Sequence, residues 1–226
     1  MTIQEIYQRF ENISDRKRLD DYQRFGINKP ELTYGIKTPC LKQLAKEIGI
    51  NHSLAIDLWK EDCHETKMLA AYIADPKKVT DNLLESWVKD LYSWDVCDNL
   101  IMHYVKKTPN AYETAKMWCN RKPEFEKRAG YALIASLAIT DKKMDDNKFL
   151  EFFPFILKGA TDERNFVKKA VNWAIRQIGK RSIFLKNKAL VLCYQIKNIE
   201  SKSAKWIAAD AIRELTNEKT LKNIKR

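Results

Sequence analysis

Glycine and proline are scarce in this chain, with 6 of each among 226 residues. An all-β domain needs many turn residues, and runs that alternate apolar and polar residues between such turns are missing as well. Apolar residues instead recur at three- and four-residue spacing, as in Leu41, Leu44, Ala45 and Ile48. That spacing is typical of amphipathic helices. The sequence therefore predicts an all-α chain.

Long apolar runs and paired cysteines are also missing. No stretch approaches 18 uninterrupted apolar residues, and the segment Met1–Glu5 lacks the basic-then-apolar pattern of a signal peptide. We therefore expect a cytoplasmic protein, associated with the nucleoid if the source is bacterial. The 5 cysteines form no CxxC pair, which favours reduced, buried thiols and predicts neither a disulfide framework nor a metal site or other cofactor. They are Cys40, Cys63, Cys97, Cys119 and Cys193.

Acidic residues are outnumbered, since 41 lysines and arginines face 30 aspartates and glutamates and give a net charge of +11. This excess favours a polyanionic partner, and a phosphate backbone is the commonest one. For any single lysine, a solvated surface position remains an alternative. The candidate DNA contacts include Lys106, Lys107, Arg121, Lys122, Lys127, Arg164, Lys168, Lys169, Arg176, Lys180, Arg181, Lys202 and Lys205.

The predicted helices come in pairs that repeat every 30 to 40 residues or so, the range of helical-hairpin solenoids. Stacked pairs share one core and expose a curved surface lined by the second helix of each pair. We therefore expect one domain over residues 1–226, with an N-terminal helical cap at 1–48 and a basic tail at 217–226; a plain helix bundle is the alternative. The pairs lie at about 51–60 with 63–75, 80–91 with 94–107, 110–120 with 124–139, 145–157 with 161–180, and 186–198 with 202–216.

A tryptophan and an aspartate lie four residues apart in the segment Trp94-Asp95-Val96-Cys97-Asp98. On a helix Trp94 and Asp98 would share a face, with Asp95 pointing elsewhere, and a ring beside an anion suits a cationic guest. The alternative is that Trp94 belongs to the core and that Asp98 caps a helix or pairs with a neighbouring cation.

The other aromatic residues are expected mainly in the core. Trp59, Trp87 and Trp118 lie in apolar helical contexts, and the core is also the favoured place for Trp206. Phe166 belongs either to the core or to a nucleic-acid contact. Glu65, which follows His64, is interpreted as a structural salt-bridge partner or a helix-end residue rather than as a second catalytic acid.

Several runs of this sequence, in order along the chain, resemble the DNA alkylation repair proteins of the AlkD type over about residues 34 to 215. The runs are Tyr34-Gly35-Ile36-Lys37-Thr38-Pro39-Cys40-Leu41, Leu58-Trp59, His64-Glu65, Ser93-Trp94-Asp95-Val96-Cys97-Asp98, Lys127-Arg128-Ala129-Gly130 and Phe166-Val167-Lys168-Lys169-Ala170-Val171-Asn172-Trp173-Ala174-Ile175-Arg176.

The resemblance implies a HEAT-like repeat α-solenoid with a basic concave surface and the activity of a DNA glycosylase. Members of this family remove N3- and N7-alkylated purines, and they are thought to engage the lesion through the DNA backbone rather than in a base pocket. The family pattern falls on Trp94, Asp98, Arg128 and Trp173, so it implies Asp98 and Arg128 as catalytic and both tryptophans as substrate contacts. Further predicted DNA contacts are Phe166, Lys168, Lys169 and Arg176.

A carboxylate suits this chemistry, because loss of a cationic purine builds oxocarbenium character on the sugar that a nearby anion stabilises. Asp98 would supply that anion, and Arg128 would grip the adjoining phosphate or hold Asp98 in place. No lysine stands out as a Schiff-base nucleophile, so we expect monofunctional hydrolysis by a monomer.

Two other functions remain open from the sequence. A DNA-binding protein of the same fold could recognise unusual or branched DNA without excising a base, because repeat scaffolds keep a surface while losing chemistry. A helical-repeat scaffold for an acidic protein would explain the charge but not the four residues of the family pattern.

Overall fold

The computed structural model describes residues 1–27 and 30–224, and within these ranges it contains helices and no strand. One isolated bridge joins Leu32 to Cys63. The prediction of an all-α chain is therefore confirmed. The α-helices are α1 (Ile3–Ile13), α2 (Leu19–Arg24), α3 (Thr38–Ile48), α4 (His52–Lys60), α5 (His64–Ile73), α6 (Asp81–Lys89), α7 (Trp94–His103), α8 (Ala111–Cys119), α9 (Glu124–Thr140), α10 (Asp146–Leu150), α11 (Phe153–Gly159), α12 (Asn165–Gly179), α13 (Ile183–Lys197), α14 (Lys202–Leu215) and α15 (Glu218–Asn223).

The chain divides into two compact units, Met1–Pro109 and Asn110–Arg226. In the first unit α4 packs on α5, and α5 also contacts α3 and α7. In the second unit α8 packs on α9 and α13 on α14, while α12 contacts both α9 and α14. Within each unit the second helices of successive pairs therefore lie side by side, as in a repeat solenoid. A single domain over the whole chain stays a prediction.

The predicted pairs correspond to helices of the structure whose ends differ from the prediction by up to about four residues, and three features differ more clearly. The helix expected at 145–157 is broken into α10 and α11, because Pro154 has no N–H and lies in the first turn of a new helix. The helix expected to reach residue 107 ends at His103 and is followed by a 3-10 turn at Val105–Lys107. The tail expected at 217–226 contains α15, and its residues 225–226 lie outside the described residues.

Most of the predicted core residues are buried. Trp59, Trp87 and Trp118 are at most 2% exposed, and the rings of Trp59 and Trp87 stack with centroids 4.4 Å apart. The prediction for Trp206 is wrong: its side chain is 41% exposed on α14 because Ile207 and Ala208 occupy the buried face of that helix. Cys40 is exposed, whereas the other four cysteines are buried as expected.

Helices α8 and α9 come unusually close together at Gly130. A Cβ atom built on Gly130 would lie 2.4 Å from the backbone nitrogen of Cys119, so the contact leaves no room for a side chain. This position explains why glycine interrupts an otherwise continuous helical pattern. No helix among the described residues is long and apolar enough to cross a membrane.

Candidate functional site

Trp94 and Asp98 lie one turn apart on α7, in the first unit. Trp94 is the first residue of the helix, directly after the N-cap Ser93. Its indole Nε1–H donates a hydrogen bond to the backbone oxygen of Phe25 at 3.1 Å, which fixes the plane of the ring. Both Trp94 and Asp98 are half-buried. The helix therefore presents a ring and a carboxylate at neighbouring positions, the arrangement that the sequence predicts.

Trp94 also forms part of the wall of a cavity of about 280 Å³ within the first unit. The opposite parts of the wall come from α2, from the segment that leads into α3, and from the start of α5. Asp95 lines this cavity beside Trp94. Asp95 and Trp94 therefore contribute to the wall of one cavity, because residues distant in sequence fold against the start of α7.

Asp95 is held by a short polar network. Its Oδ2 lies 2.9 Å from Nε2 of His64, and its Oδ1 accepts a hydrogen bond from the hydroxyl of Ser93 at 2.6 Å. Nδ1 of His64 lies 3.1 Å from the hydroxyl of Tyr92. Burial raises the pKa of Asp95, but the hydrogen bond and charge of His64, together with Ser93, outweigh burial and leave it below the usual value. Asp95 is thus an anion at neutral pH.

Glu65 shapes the other side of the cavity. Its carboxylate accepts hydrogen bonds from the backbone N–H groups of Tyr34 and Ile36 at 3.1 and 3.2 Å, and the side chain is 1% exposed. Gly35, which lies between Tyr34 and Ile36, has a φ of +69°. A Cβ atom on Gly35 would lie 2.4 Å from the carbonyl oxygen of Asp15. Glu65 is therefore a structural residue in the first turn of α5, as the sequence indicates, and it explains the run Tyr34-Gly35-Ile36.

A group of cations without ion-pair partners among the described residues lies elsewhere in the first unit, around the end of α7. The Nζ of Lys42 lies 5.9 Å from the ring centre of Tyr72, whose ring meets that of His103 at 4.6 Å. Burial, which is the largest cause, and the charges of Lys42, Lys107 and Lys106 together lower the pKa of His103 to about 4. The local potential here is positive, which suits an anionic partner.

Arg128 lies in the second unit, on α9, and its side chain is largely buried. Its Nη1 donates a hydrogen bond to the backbone oxygen of Phe166 at 2.8 Å. The N–H of Phe166 donates to Oε1 of Glu124 at 3.3 Å, and its ring packs on Phe125 with centroids 5.4 Å apart. Arg128 and Glu124 therefore bind both backbone polar groups of Phe166, which fixes the start of α12 against α9.

Two of the predicted DNA contacts on α12 have different surroundings. Lys168 is half-buried with its Nζ 5.2 Å from the ring centre of Trp206, whereas Lys169 is exposed. Trp173, farther along the helix, is half-buried, and its indole N–H donates to the amide oxygen of Gln177 at 3.2 Å when that amide is oriented to satisfy its neighbours. An aromatic and cationic surface with Lys168, Lys169 and Trp206 is therefore accessible in the second unit.

Two other residues predicted to contact DNA, Arg176 and Arg181, form ion pairs and hydrogen bonds within the protein. Arg176 forms ion pairs with Glu214 and, at 3.7 Å, with Asp210 on α14. Arg181 is 5% exposed and donates to the carbonyl oxygens of Ala138, Asp141 and Met144 at 2.6 to 3.0 Å. The charge of Arg176 is thus offset by two carboxylates. The prediction of Arg181 as a DNA contact is wrong, because its guanidinium is buried and donates hydrogen bonds to backbone carbonyl groups.

Lys127 and Arg164 share the carboxylate of Asp162. The Nζ of Lys127 lies 2.9 Å from Oδ2 of Asp162, and Arg164 binds both oxygens of that carboxylate at 2.9 and 2.6 Å. Burial raises the pKa of Asp162, but these hydrogen bonds and the lysine charge hold it well below the usual value. The cluster joins α9 to the segment before α12, so these two cations have a structural partner.

The structure brings together some of the residues that the sequence singled out. Trp94 and Asp98 share one helix of the first unit, whereas Arg128 and Trp173 belong to the second unit. The convergence of the two sets on one cleft stays a prediction, as does the basic concave surface. The sequence reasoning missed the cavity beside Trp94, although the adjacent Cys63-His64-Glu65 polar group was a signal for it. Among the described residues no group of three His, Cys, Asp or Glu side chains could hold a metal ion.

The paired helices and their side-by-side packing within each unit define a helical-repeat protein. The model of the family described as DNA alkylation repair enzyme matches residues 6–215, so the chain belongs to that family.

A solved structure gives the same fold. It is described as "a new family of proteins related to the HEAT-like repeat DNA glycosylases with affinity for branched DNA structures", and the TM-score is 0.78 over 94% of this chain and 95% of that chain at 19% identity. The HEAT-like repeat fold is therefore shown. The comparison with curated proteins gave no match.

Proposed function

We propose that this protein is a DNA glycosylase of base excision repair that hydrolyses the N-glycosidic bond of cationic N3- or N7-alkylated purines in duplex DNA. The observation that carries this proposal is the pair on α7, where Asp98 follows the fixed ring of Trp94 by one turn. Membership of the DNA alkylation repair family supports it. The net charge of +11 suits a phosphate backbone.

In the proposed reaction, Asp98 faces the deoxyribose as its C1′ gains positive charge. An anion there lowers the energy of the oxocarbenium-like transition state, and it can also orient the attacking water. The alkylated base already carries a positive charge and leaves as a neutral purine, so no general acid is required. Arg128 would hold the adjoining phosphate or Asp98, and Trp94 and Trp173 would present ring faces to the cationic nucleotide.

The product of this reaction is an abasic site, because water rather than an amine attacks. A buried lysine with a lowered pKa is the usual Schiff-base nucleophile, and burial does lower the pKa of Lys67. However, the ammonium of Lys67 donates to the carbonyl oxygen of Trp59 at 2.7 Å and lies over the ring of the same residue. Lys67 is therefore a structural residue of the core rather than a Schiff-base nucleophile, which supports monofunctional hydrolysis.

The second candidate is a DNA-binding protein that recognises branched DNA without excising a base. It is favoured by the solved structure with the same fold, which is described as related to the glycosylases and as having affinity for branched DNA. For the first candidate, we propose that the enzyme is a monomer and binds duplex DNA, preferably alkylated. A preference for DNA junctions would favour the second candidate.

Incubation with duplex DNA that contains one N7-methylguanine separates the two candidates. We expect release of the free base, with a strand that remains intact until alkali cleaves it at the abasic site. Binding should weaken steeply with added salt, because phosphate contacts release counterions. Tight binding to a four-way junction at low salt without any base release would instead support the non-excising function.

A further inference from the structure

Trp206 on α14 has an exposed ring that the packing of the second unit does not use. Its side chain is 41% exposed, and among the described residues it forms no hydrogen bond and no ring–ring contact. The neighbour of the ring is Lys168 on α12, whose Nζ lies 5.2 Å from the ring centre. Tryptophan is enriched at binding interfaces, because the indole combines a large apolar face with a polar N–H. The position of Trp206 therefore suits contact with a ligand.

Lysines from two helices surround this ring. Lys202 is exposed and precedes Trp206 by four residues on α14, so the two side chains lie on the same face of the helix. Lys169 is exposed beside Lys168 on α12, and α12 packs against α14. Neither Lys168 nor Lys202 forms an ion pair with a carboxylate among the residues that the structure describes. Their ammonium groups are therefore available to an anion.

The carboxylate of Glu163 lies near these lysines and has other partners. Its Oε1 accepts hydrogen bonds from the hydroxyl of Ser201 at 2.7 Å and from the backbone N–H of Ser203 at 3.1 Å. These hydrogen bonds and, less strongly, the charges of Lys168 and Lys202 hold the pKa of Glu163 below its ordinary value. Glu163 therefore binds the start of α14, and one carboxylate offsets only part of the charge of the lysines.

An unpaired nucleotide matches this combination of a ring and cations. Lysines bind its phosphates, and its base offers a flat face to an indole, as in proteins that bind single strands. In duplex DNA neighbouring base pairs cover the base faces, so an exposed ring cannot stack on them unless the duplex unstacks. A peptide rich in carboxylates would meet the lysines but offers no flat face to the ring. The ring therefore favours unpaired DNA over both.

We propose that Trp206, Lys168 and Lys202 form a binding site for an unpaired nucleotide of single-stranded DNA. The base stacks on the indole of Trp206, and the two ammonium groups bind the phosphates on either side of it. The inference goes beyond the proposed function, because it concerns a stretch of unpaired DNA rather than the alkylated base. It holds whether or not the protein excises that base.

Fluorescence anisotropy of a labelled oligothymidylate, which has no complementary bases, tests the proposal at low salt. We expect the wild type to bind it and Trp206→Leu to bind it about tenfold more weakly, the effect of losing one base stack. Phe184→Leu is the matched control: Phe184 on α13 is 43% exposed, and the Nζ of Lys188 lies 5.7 Å from its ring centre. Its affinity should stay that of the wild type. Absence of binding by the wild type, or equal loss in the two variants, would overturn the proposal.

Duplex DNA of the same length separates stacking from a general effect on DNA binding. Trp206→Leu should lose much less affinity for the duplex than for the single strand, because the lysines remain and paired bases offer no face to the ring. Equal loss for paired and unpaired DNA would overturn the assignment of Trp206 as a stacking residue. Thermal unfolding of each variant shows whether it is folded.

Tryptophan fluorescence locates the bound base. Trp206→Phe keeps a ring and should keep most of the affinity for the oligothymidylate, but the quenching of tryptophan emission that the wild type shows should be largely lost. Quenching equal to that of the wild type would place the base elsewhere and overturn the proposal. Release of N7-methylguanine from duplex DNA by a protein that binds no single strand would overturn this proposal alone. Single-strand binding without base release would overturn the glycosylase proposal alone.

Discussion

Replacement of Glu65 by glutamine tests the polar interactions that hold the cavity wall. The carboxylate accepts two backbone hydrogen bonds, from Tyr34 and Ile36, at a site that is 1% exposed. Hydrogen bonds to a charged group contribute about 1.5 to 3 kcal/mol each. In Glu65→Gln one amide oxygen can still accept one of them, but the amide nitrogen is a donor and faces the other N–H. One buried N–H therefore loses its partner.

The expected cost is about 3 to 5 kcal/mol in the free energy of unfolding, because a charge-assisted bond is lost and a buried donor is left unsatisfied. Urea unfolding followed by circular dichroism measures this cost. The urea concentration at the unfolding midpoint should fall without a large change in the m-value. Glu200→Gln is the matched control. Its side chain is 89% exposed and forms a surface ion pair with Lys205, so the change in the free energy of unfolding should stay within about 0.5 kcal/mol.

A loss below about 1 kcal/mol in Glu65→Gln would refute this reasoning. It would mean that the segment around Gly35 is held by its own turn conformation and by packing rather than by the carboxylate. An equal loss in both variants would show instead that the measurement follows net charge.

Three further predictions follow from single positions. Gly130→Ala should destabilise the protein by about 1 to 3 kcal/mol in thermal unfolding, because the clash with the backbone of Cys119 exceeds the gain of about 1 kcal/mol in helix propensity; a stabilised variant would contradict the close approach of α8 and α9. The lowered pKa of Asp95 stabilises the fold at pH values above its unfolded pKa near 4, and this stabilisation is lost as the pH falls through the lower folded pKa. In Asp95→Asn, the urea unfolding midpoint should therefore fall less steeply with decreasing pH. An unchanged pH profile would assign the loss of stability in acid to other carboxylates. The pKa of His103 should be about 4 by NMR in the free protein and rise in the complex with duplex DNA, because phosphates offset the lysine charges; a value unchanged at saturation would remove this cluster from the interface.

The periodic part of the fold was predictable from the sequence. Apolar residues at helical spacing gave the helix pairs, and the four-residue separation of Trp94 and Asp98 gave their neighbouring positions on α7. Both inferences depend only on residues close together in the chain. The break between α10 and α11 also had a local signal in Pro154, and that signal was overlooked.

The cavity could not be predicted in the same way. Its wall joins Tyr22, Glu65 and Trp94, which lie on different helices, and its shape depends on a non-helical segment fixed by Glu65. The roles of individual lysines and arginines could not be predicted from the sequence either. Arg181 and Lys169 have the same charge in the sequence, but only the fold shows that one is buried among carbonyl oxygens and the other is exposed.

Single-turnover excision by Asp98→Asn tests the central claim most directly. The substrate is duplex DNA with one N7-methylguanine at low salt, and the variant keeps the shape of the side chain while removing its charge. We expect DNA binding close to that of the wild type and a rate of base release lower by about 100-fold, since a group that stabilises charge in the transition state typically contributes that much. Equal rates of release in the two proteins would contradict the assignment of Asp98 as the catalytic carboxylate.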